Sequence, residues 1–206
     1  MVPPASGGAP RSMVILLHGY GSNGDDLIGL VPYWRAALPD TVFLSPNAPQ
    51  PCPGAPGGYQ WWALTSFSPD ARAAGVRQAA PIVNGFIDRQ LAAHGLPEDR
   101  LALVGFSQGT MMALQVGLRR PIAGIAGYSG MLADPDGLDA SPSRPPVLLV
   151  HGDADPMVPV AALQQAQAAL APLGFEVTAH VSRGLGHSID EAGLRLGGQF
   201  LSRVLA

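Results

Sequence analysis

Leu101-Ala102-Leu103-Val104-Gly105-Phe106-Ser107-Gln108-Gly109 is the stretch that decides the fold of this chain. The apolar run Leu101 to Val104 has the length and composition of a buried strand. Gly105 to Gly109 then reads Gly-Phe-Ser-Gln-Gly, and Thr110 to Arg119 continues as a helix-like run. A strand, a tight turn and a helix in that order make the setting of a nucleophile elbow, where a serine is held on a sharp turn with its hydroxyl exposed. The positions two before and two after the serine are crowded, and glycine fits them because it has no Cβ. The chain has 26 glycines, so the spacing alone is weak evidence. The flanking strand and helix make it specific.

Working outward, apolar runs alternate with helical periodicity along the chain. Met13 to Leu17 ends at His18-Gly19 and suits a strand buried on both faces. Asp25 to Leu38 has helical spacing, with Pro32 set to kink it or delay its start. Thr41 to Leu44 is a short strand. Ser45 to Pro69 is a long Pro/Gly-rich loop that carries Trp61, Trp62 and Phe67. Asp70 to His94 is a long helix ended by Gly95. Ile122 to Tyr128 and Pro146 to Val150 are strands, Val160 to Leu173 is a helix stopped by Gly174, and Glu176 to Val181 is a strand. Ser188 to Leu205 closes the chain as an amphipathic helix. This alternation predicts an α/β fold, with a mostly parallel central sheet and helices on both faces. The length of 206 residues fits one domain over residues 11–206 with no separate cap domain, preceded by a flexible segment over residues 1–10.

Composition narrows the functional classes. The formal charge is −3, charged residues make up 13% of the chain, and no basic stripe forms, so nucleic-acid binding lacks its electrostatic footprint. No apolar run is long enough for an integral membrane segment. The N-terminus lacks the basic and apolar regions of a secretion signal, and the single cysteine, Cys52, suits a reducing compartment, so a cytoplasmic protein is expected.

A serine hydroxyl needs a base to take its proton, and the base needs an anion to orient it. In elbow-type hydrolases the acid and then the histidine follow the nucleophile along the chain. His151-Gly152-Asp153-Ala154-Asp155-Pro156 follows one strand, and Gly184-Leu185-Gly186-His187-Ser188 follows the next. Both lie beyond strand carboxyl ends, where open parallel sheets place their chemistry. Asp155 is favoured over Asp153 as the acid, because Pro156 restricts the backbone beside it. His187 is favoured as the base over His18, His94, His151 and His180. His18 and His151 read as buried histidines bonded to backbone. No metal-binding spacing appears, and the chemistry needs no cofactor. Gln108, the residue after the serine, supplies a backbone N–H to an oxyanion hole. Trp61, Trp62, Phe67, Met157 and Val158 are candidates for an apolar pocket near the serine.

The segments Leu17-His18-Gly19-Tyr20-Gly21, Gly105 to Gly109, His151 to Pro159 and Gly186-His187 together resemble the phospholipase/carboxylesterase family of α/β-hydrolases. That family includes bacterial carboxylesterases and acyl-protein thioesterases. The resemblance covers nearly the whole chain. It implies the α/β-hydrolase fold, a Ser107–Asp155–His187 triad, and a second oxyanion donor at the backbone N–H of Tyr20, where many relatives carry leucine. The implied activity is hydrolysis of acyl esters through an acyl-enzyme; the absence of a cap domain leaves the site open, which favours small to medium acyl esters. Lysophospholipids and S-acylated proteins are the alternative substrates, and a non-catalytic binding scaffold is the remaining reading. The oligomeric state is left open, a homodimer included.

Overall fold

The computed structural model describes residues 1–206 and contains one six-stranded sheet. In chain order its elements are β1 (Ser12–Leu17), α1 (Gly24–Leu27), β2 (Thr41–Leu44), the two-residue strands β3 (Gln50–Pro51) and β4 (Tyr59–Gln60), α2 (Pro69–His94), β5 (Leu101–Phe106), α3 (Gln108–Gly117), β6 (Gly124–Tyr128), β7 (Val147–Gly152), α4 (Ala161–Leu170), β8 (Val177–Ser182) and α5 (Glu191–Val204). The main sheet runs β2-β1-β5-β6-β7-β8, and every neighbouring pair in it is parallel.

Side chains alternate across a strand, so a sheet covered on both faces has two cores. Met13, Ile15, Leu17, Leu101 and Leu103 face one core with residues of α2, α3 and α4. Val14, Leu16, Ala102, Val104 and Tyr128 face the other, with Leu27, Val31 and Trp34 near the N-terminus and Phe200 and Leu201 of α5. Trp34 locks this second layer by donating its indole N–H to the Leu194 carbonyl across 2.9 Å.

The predicted helix over Asp25–Leu38 is shorter than expected. Asn23 caps α1 by accepting the N–H of Asp26, and the chain then tightens into a 3-10 segment over Ile28–Tyr33. Pro32 explains the change, since it lacks an N–H and its ring crowds the carbonyl four residues back. The long helix meets its prediction almost to the residue. Ser68 caps it, Val76, Ala79, Val83, Ile87 and Leu91 form its buried stripe, and Gly95 ends it at φ +64°. Asp190 caps α5 by accepting the Gly193 N–H.

Residues 1–10, expected to be a flexible segment, make backbone contacts with the sheet edge and the turn before it. Val2 pairs with Phe43, donating its N–H to the Phe43 carbonyl at 2.8 Å and accepting the Phe43 N–H at 3.0 Å, and Ser6 bonds Pro39. Strand β2 is the edge of the sheet, and its unpaired backbone groups give the N-terminal segment something to bind.

Candidate active site

Ser107 stands between β5 and α3 with φ 54° and ψ −116°, one of only two non-glycine residues at positive φ. Such a backbone is strained and survives where the surroundings over-determine it. Here Ser107 donates its N–H to the Tyr128 carbonyl at 2.9 Å, while its own carbonyl accepts from Thr110 and Met111 in the first turn of α3. A Cβ on Gly105 would run into the Gly109 carbonyl, and one on Gly109 into that of Leu17. Both glycines are therefore steric requirements of the turn.

The chain packed beside Ser107 comes from β1. The Cβ position of Gly19 lies 3.4 Å from the Ser107 Cβ, so the His18-Gly19-Tyr20 loop passes directly over the serine. His18 pins this loop from within. Its Nδ1 lies 2.8 Å from the Gly19 carbonyl and its Nε2 accepts the Ala48 N–H at 2.9 Å. Those partners require the neutral ring with the proton on Nδ1. Burial pushes the His18 pKa down, against smaller upward effects of the Gly19 carbonyl and Asp26. The Tyr20 N–H makes no hydrogen bond within the protein, and Gln108 occupies the first position of α3, where an N–H has no helical acceptor. Two backbone donors are thus free in the chain that flanks Ser107.

Gln108 does a second thing that its sequence context does not announce. Its Oε1 accepts the Trp61 N–H and its Nε2 donates to the Trp62 carbonyl, each at 2.9 Å. Trp61 also donates its indole N–H to the His18 carbonyl at 2.8 Å. The long loop after β2 is thereby clamped to both backbone segments at the serine.

Asp155 and His187 meet in the loops after β7 and β8. His187 Nδ1 lies 2.7 Å from Asp155 Oδ2, and the other carboxylate oxygen accepts the N–H groups of Met157 at 2.8 Å and Val158 at 2.9 Å. Burial of the Asp155 side chain pushes its pKa up, but the Val158 N–H, the His187 bond and the Met157 N–H outweigh that, and the net shift is downward. An ionised carboxylate only accepts, so His187 Nδ1 carries the proton and Nε2 keeps its lone pair. Asp153, the competing acid, turns away and accepts the Gly184 N–H at 2.6 Å. His151 is buried against the Val158 carbonyl at 2.8 Å.

Ser107 and His187 form walls of the same cleft, about 310 Å³ in volume. The Phe106 ring supports the imidazole, with ring centroids 4.9 Å apart. No hydrogen bond joins Ser107 to His187. Unliganded sites often hold this contact loose. The remaining walls are Tyr20, Leu64, Phe67, Arg72, Gln108, Met111, Met131, Met157 and Val158.

Of the five pocket candidates, Phe67, Met157 and Val158 are in the cleft wall. Trp61 and Trp62 are not in the cleft wall: they are buried in the core beneath, held by Gln108 and by contact with α2, where the Trp62 ring fills the space a Gly75 side chain would take. Their large apolar area is more stabilising there than at a wet surface. Leu64, Arg72, Met111 and Met131 line the cleft without having been foreseen. Met111 lies four residues after Ser107 on α3, one helical turn away, so periodicity carries its signal. Met131 follows the carboxyl end of β6, where the strand-end rule points to it. Leu64 and Arg72 have no such signal.

The loop that carries His187 is held from three sides. Asp153 takes the Gly184 N–H, Ala154 donates to the Leu185 carbonyl at 3.0 Å, and Ser129 Oγ donates to the Ser188 carbonyl at 3.2 Å. Ser129 is the second non-glycine residue at positive φ, at 47°.

The chain is similar to known proteins along nearly its whole length. The family described as Phospholipase/Carboxylesterase matches residues 4–205. Esterase YpfH of Escherichia coli is 29% identical over 188 residues, covering 90% of this chain and 79% of that protein. Acyl-protein thioesterase 1 of Kluyveromyces lactis is 30% identical over 217 residues, covering 95% and 92%. The crystal structure of esterase PE8 superposes with a TM-score of 0.93 at 45% identity, covering 99% of this chain and 97% of that one. The six-stranded parallel sheet with helices on both faces is the α/β-hydrolase fold. No helix is long and apolar enough to cross a membrane. The chain belongs to the phospholipase/carboxylesterase family and is a hydrolase of the kind that acts on carboxylic esters or thioesters.

Proposed function

We propose that the protein is a serine carboxylesterase for small to medium acyl esters, with Ser107 as nucleophile, His187 as general base and acid, and Asp155 as the group that orients His187. The observation that carries this reading is the His187–Asp155 bond of 2.7 Å in the same cleft as a serine on a strained elbow. His187 Nε2 takes the Ser107 proton as Oγ attacks the ester carbonyl. The carbonyl oxygen becomes an oxyanion held by the N–H groups of Tyr20 and Gln108. His187 then gives the proton to the leaving alcohol, and the acyl group stays on Ser107. Water, deprotonated by His187, attacks that acyl-enzyme, releases the acid and restores the serine. The apolar walls Phe67, Met111, Met131, Met157 and Val158 receive the acyl chain. Three of the chain's six methionines are among the cleft residues, and flexible thioether side chains adapt to acyl groups of differing shape.

The thioesterase reading keeps this mechanism and changes the leaving group to a thiol. The similarity to acyl-protein thioesterase 1 of Kluyveromyces lactis favours it. The cleft volume of about 310 Å³ favours the smaller esters, since it sits at the lower end of small-ligand sites. We place the protein in the cytoplasm on its one free, buried thiol, Cys52. The decisive experiment is labelling with a serine-directed fluorophosphonate. The wild type should be labelled at Ser107 and Ser107→Ala should not; equal labelling of both would refute the assignment.

A further inference from the structure

One cleft residue has no part in the ester chemistry above. Arg72 lies in the first turn of α2 and is, besides His187, the only basic side chain in the cleft wall. Its Nη1 donates to the Phe67 carbonyl. Its Nε and Nη2 donate to nothing, and no carboxylate lies within ion-pair distance. Asp70, the acid of the same helical turn, is exposed and does not pair with it.

Helix stability does not explain this arginine. A cation in the first turn stands at the positive end of the helix dipole, where an anion is favoured. The neighbouring walls Leu64 and Phe67 offer it no polar partner through their side chains. A guanidinium with two unused donor groups, in the wall of a mostly apolar cleft, matches a carboxylate or phosphate in geometry and charge.

We propose that Arg72 is an anion-recognition residue of this cleft, and that the preferred substrates are esters carrying a carboxylate or phosphate a short distance from the scissile carbonyl. The inference rests on the esterase reading of the same site and narrows its substrate class. Arg72 binds the anion, and the small cleft volume limits how far that anion stands from Ser107. The anion can belong to the acyl part, as in a half-ester of a dicarboxylic acid, or to the alcohol part, as in an acylated phosphoalcohol.

The test measures kcat/KM on two matched pairs. The first pair is mono-4-nitrophenyl glutarate against its neutral methyl ester; the second is butyryl glycerol 3-phosphate against monobutyrin. The readout is the anionic-to-neutral ratio in wild type, Arg72→Gln and Arg72→Lys. A hydrogen bond to a charged group of this type is expected to make the ratio fall about tenfold in Arg72→Gln for at least one pair. Arg72→Lys should recover part of the loss, because it keeps the charge without the fork, and the wild-type ratio should fall as salt is raised. The pair that responds identifies the side of the ester that carries the anion. Ratios unchanged by Arg72→Gln in both pairs would overturn the proposal, provided the neutral esters are still turned over in a Ser107-dependent way. Absence of Ser107-dependent turnover of any of the four esters, with no fluorophosphonate labelling, would instead refute the esterase reading.

Discussion

Ser129 donates its Oγ–H to the carbonyl of Ser188 across 3.2 Å, from a backbone held at φ 47°. Its N–H is bonded to the Val150 carbonyl at 2.9 Å, so the strained residue is fastened to β7 while its side chain reaches the residue after His187. The imidazole is thus aimed by two loops, one through Asp155 and one through Ser129.

Loss of the Ser129 hydroxyl should loosen the His187 loop without touching the cleft wall. Ser129→Ala is expected to lower kcat about tenfold on a neutral aryl ester, leave KM within about twofold, and cost about 1 kcal/mol of stability. Steady-state kinetics with urea denaturation checks this. A loss seen only in stability would mean that the bond has no positioning role.

Asp155→Asn should be far more severe. The amide presents a donor where His187 needs an acceptor, and the ring loses the tautomer that leaves Nε2 free. A fall in kcat of about 10³–10⁴ is expected, as for the equivalent change in a Ser-His-Asp triad. The pH dependence of stability should change as well. The Asp155 carboxyl is held below its ordinary range, so its contribution is complete above the unfolded value and disappears as pH falls through the lower folded value. Acid titration of the wild type against Asp155→Asn should therefore show a smaller acid-side loss of stability in the variant.

Gln108→Ala separates the two parts played by that residue. The backbone N–H proposed to hold the oxyanion remains, but the Trp61 N–H and the Trp62 carbonyl lose their partners in a buried setting. A destabilisation of about 2–4 kcal/mol is expected in denaturant melts, since each stranded buried group costs about 1–3 kcal/mol.

His18 gives a prediction in the neutral range. Its pKa is lowered by burial, so the unfolded chain binds this proton more readily than the folded one. Stability from this group is full above the unfolded histidine value of about 6.5 and is lost as pH falls towards the lower folded value. Denaturation midpoints measured from pH 8 to pH 5 should decline, and His18→Gln should flatten the decline.

Much of this molecule can be read along the chain. The periodicity of α2, its cap at Ser68 and its stop at Gly95 are local signals, written in the residues that form them. The same holds for Gly105 and Gly109, whose smallness is required by a turn only five residues long. Pro32 shows the limit of local reading, because the spacing around it suggested a helix that its missing N–H does not allow to continue.

What the sequence by itself determined was the succession of the main strands and helices along the chain, the elbow, and the types of side chain waiting at strand carboxyl ends. Tertiary structure alone decided which of them meet. Asp155 faces His187 while Asp153 faces Gly184, although both aspartates stand in one loop. Trp61 and Trp62 went to the core and Arg72 to the cleft, and Val2 found the open edge at Phe43. The reason is physical: strand and turn formation depend on neighbours in the chain, whereas burial, ion pairing and edge pairing depend on groups brought together only when the sheet closes its layers.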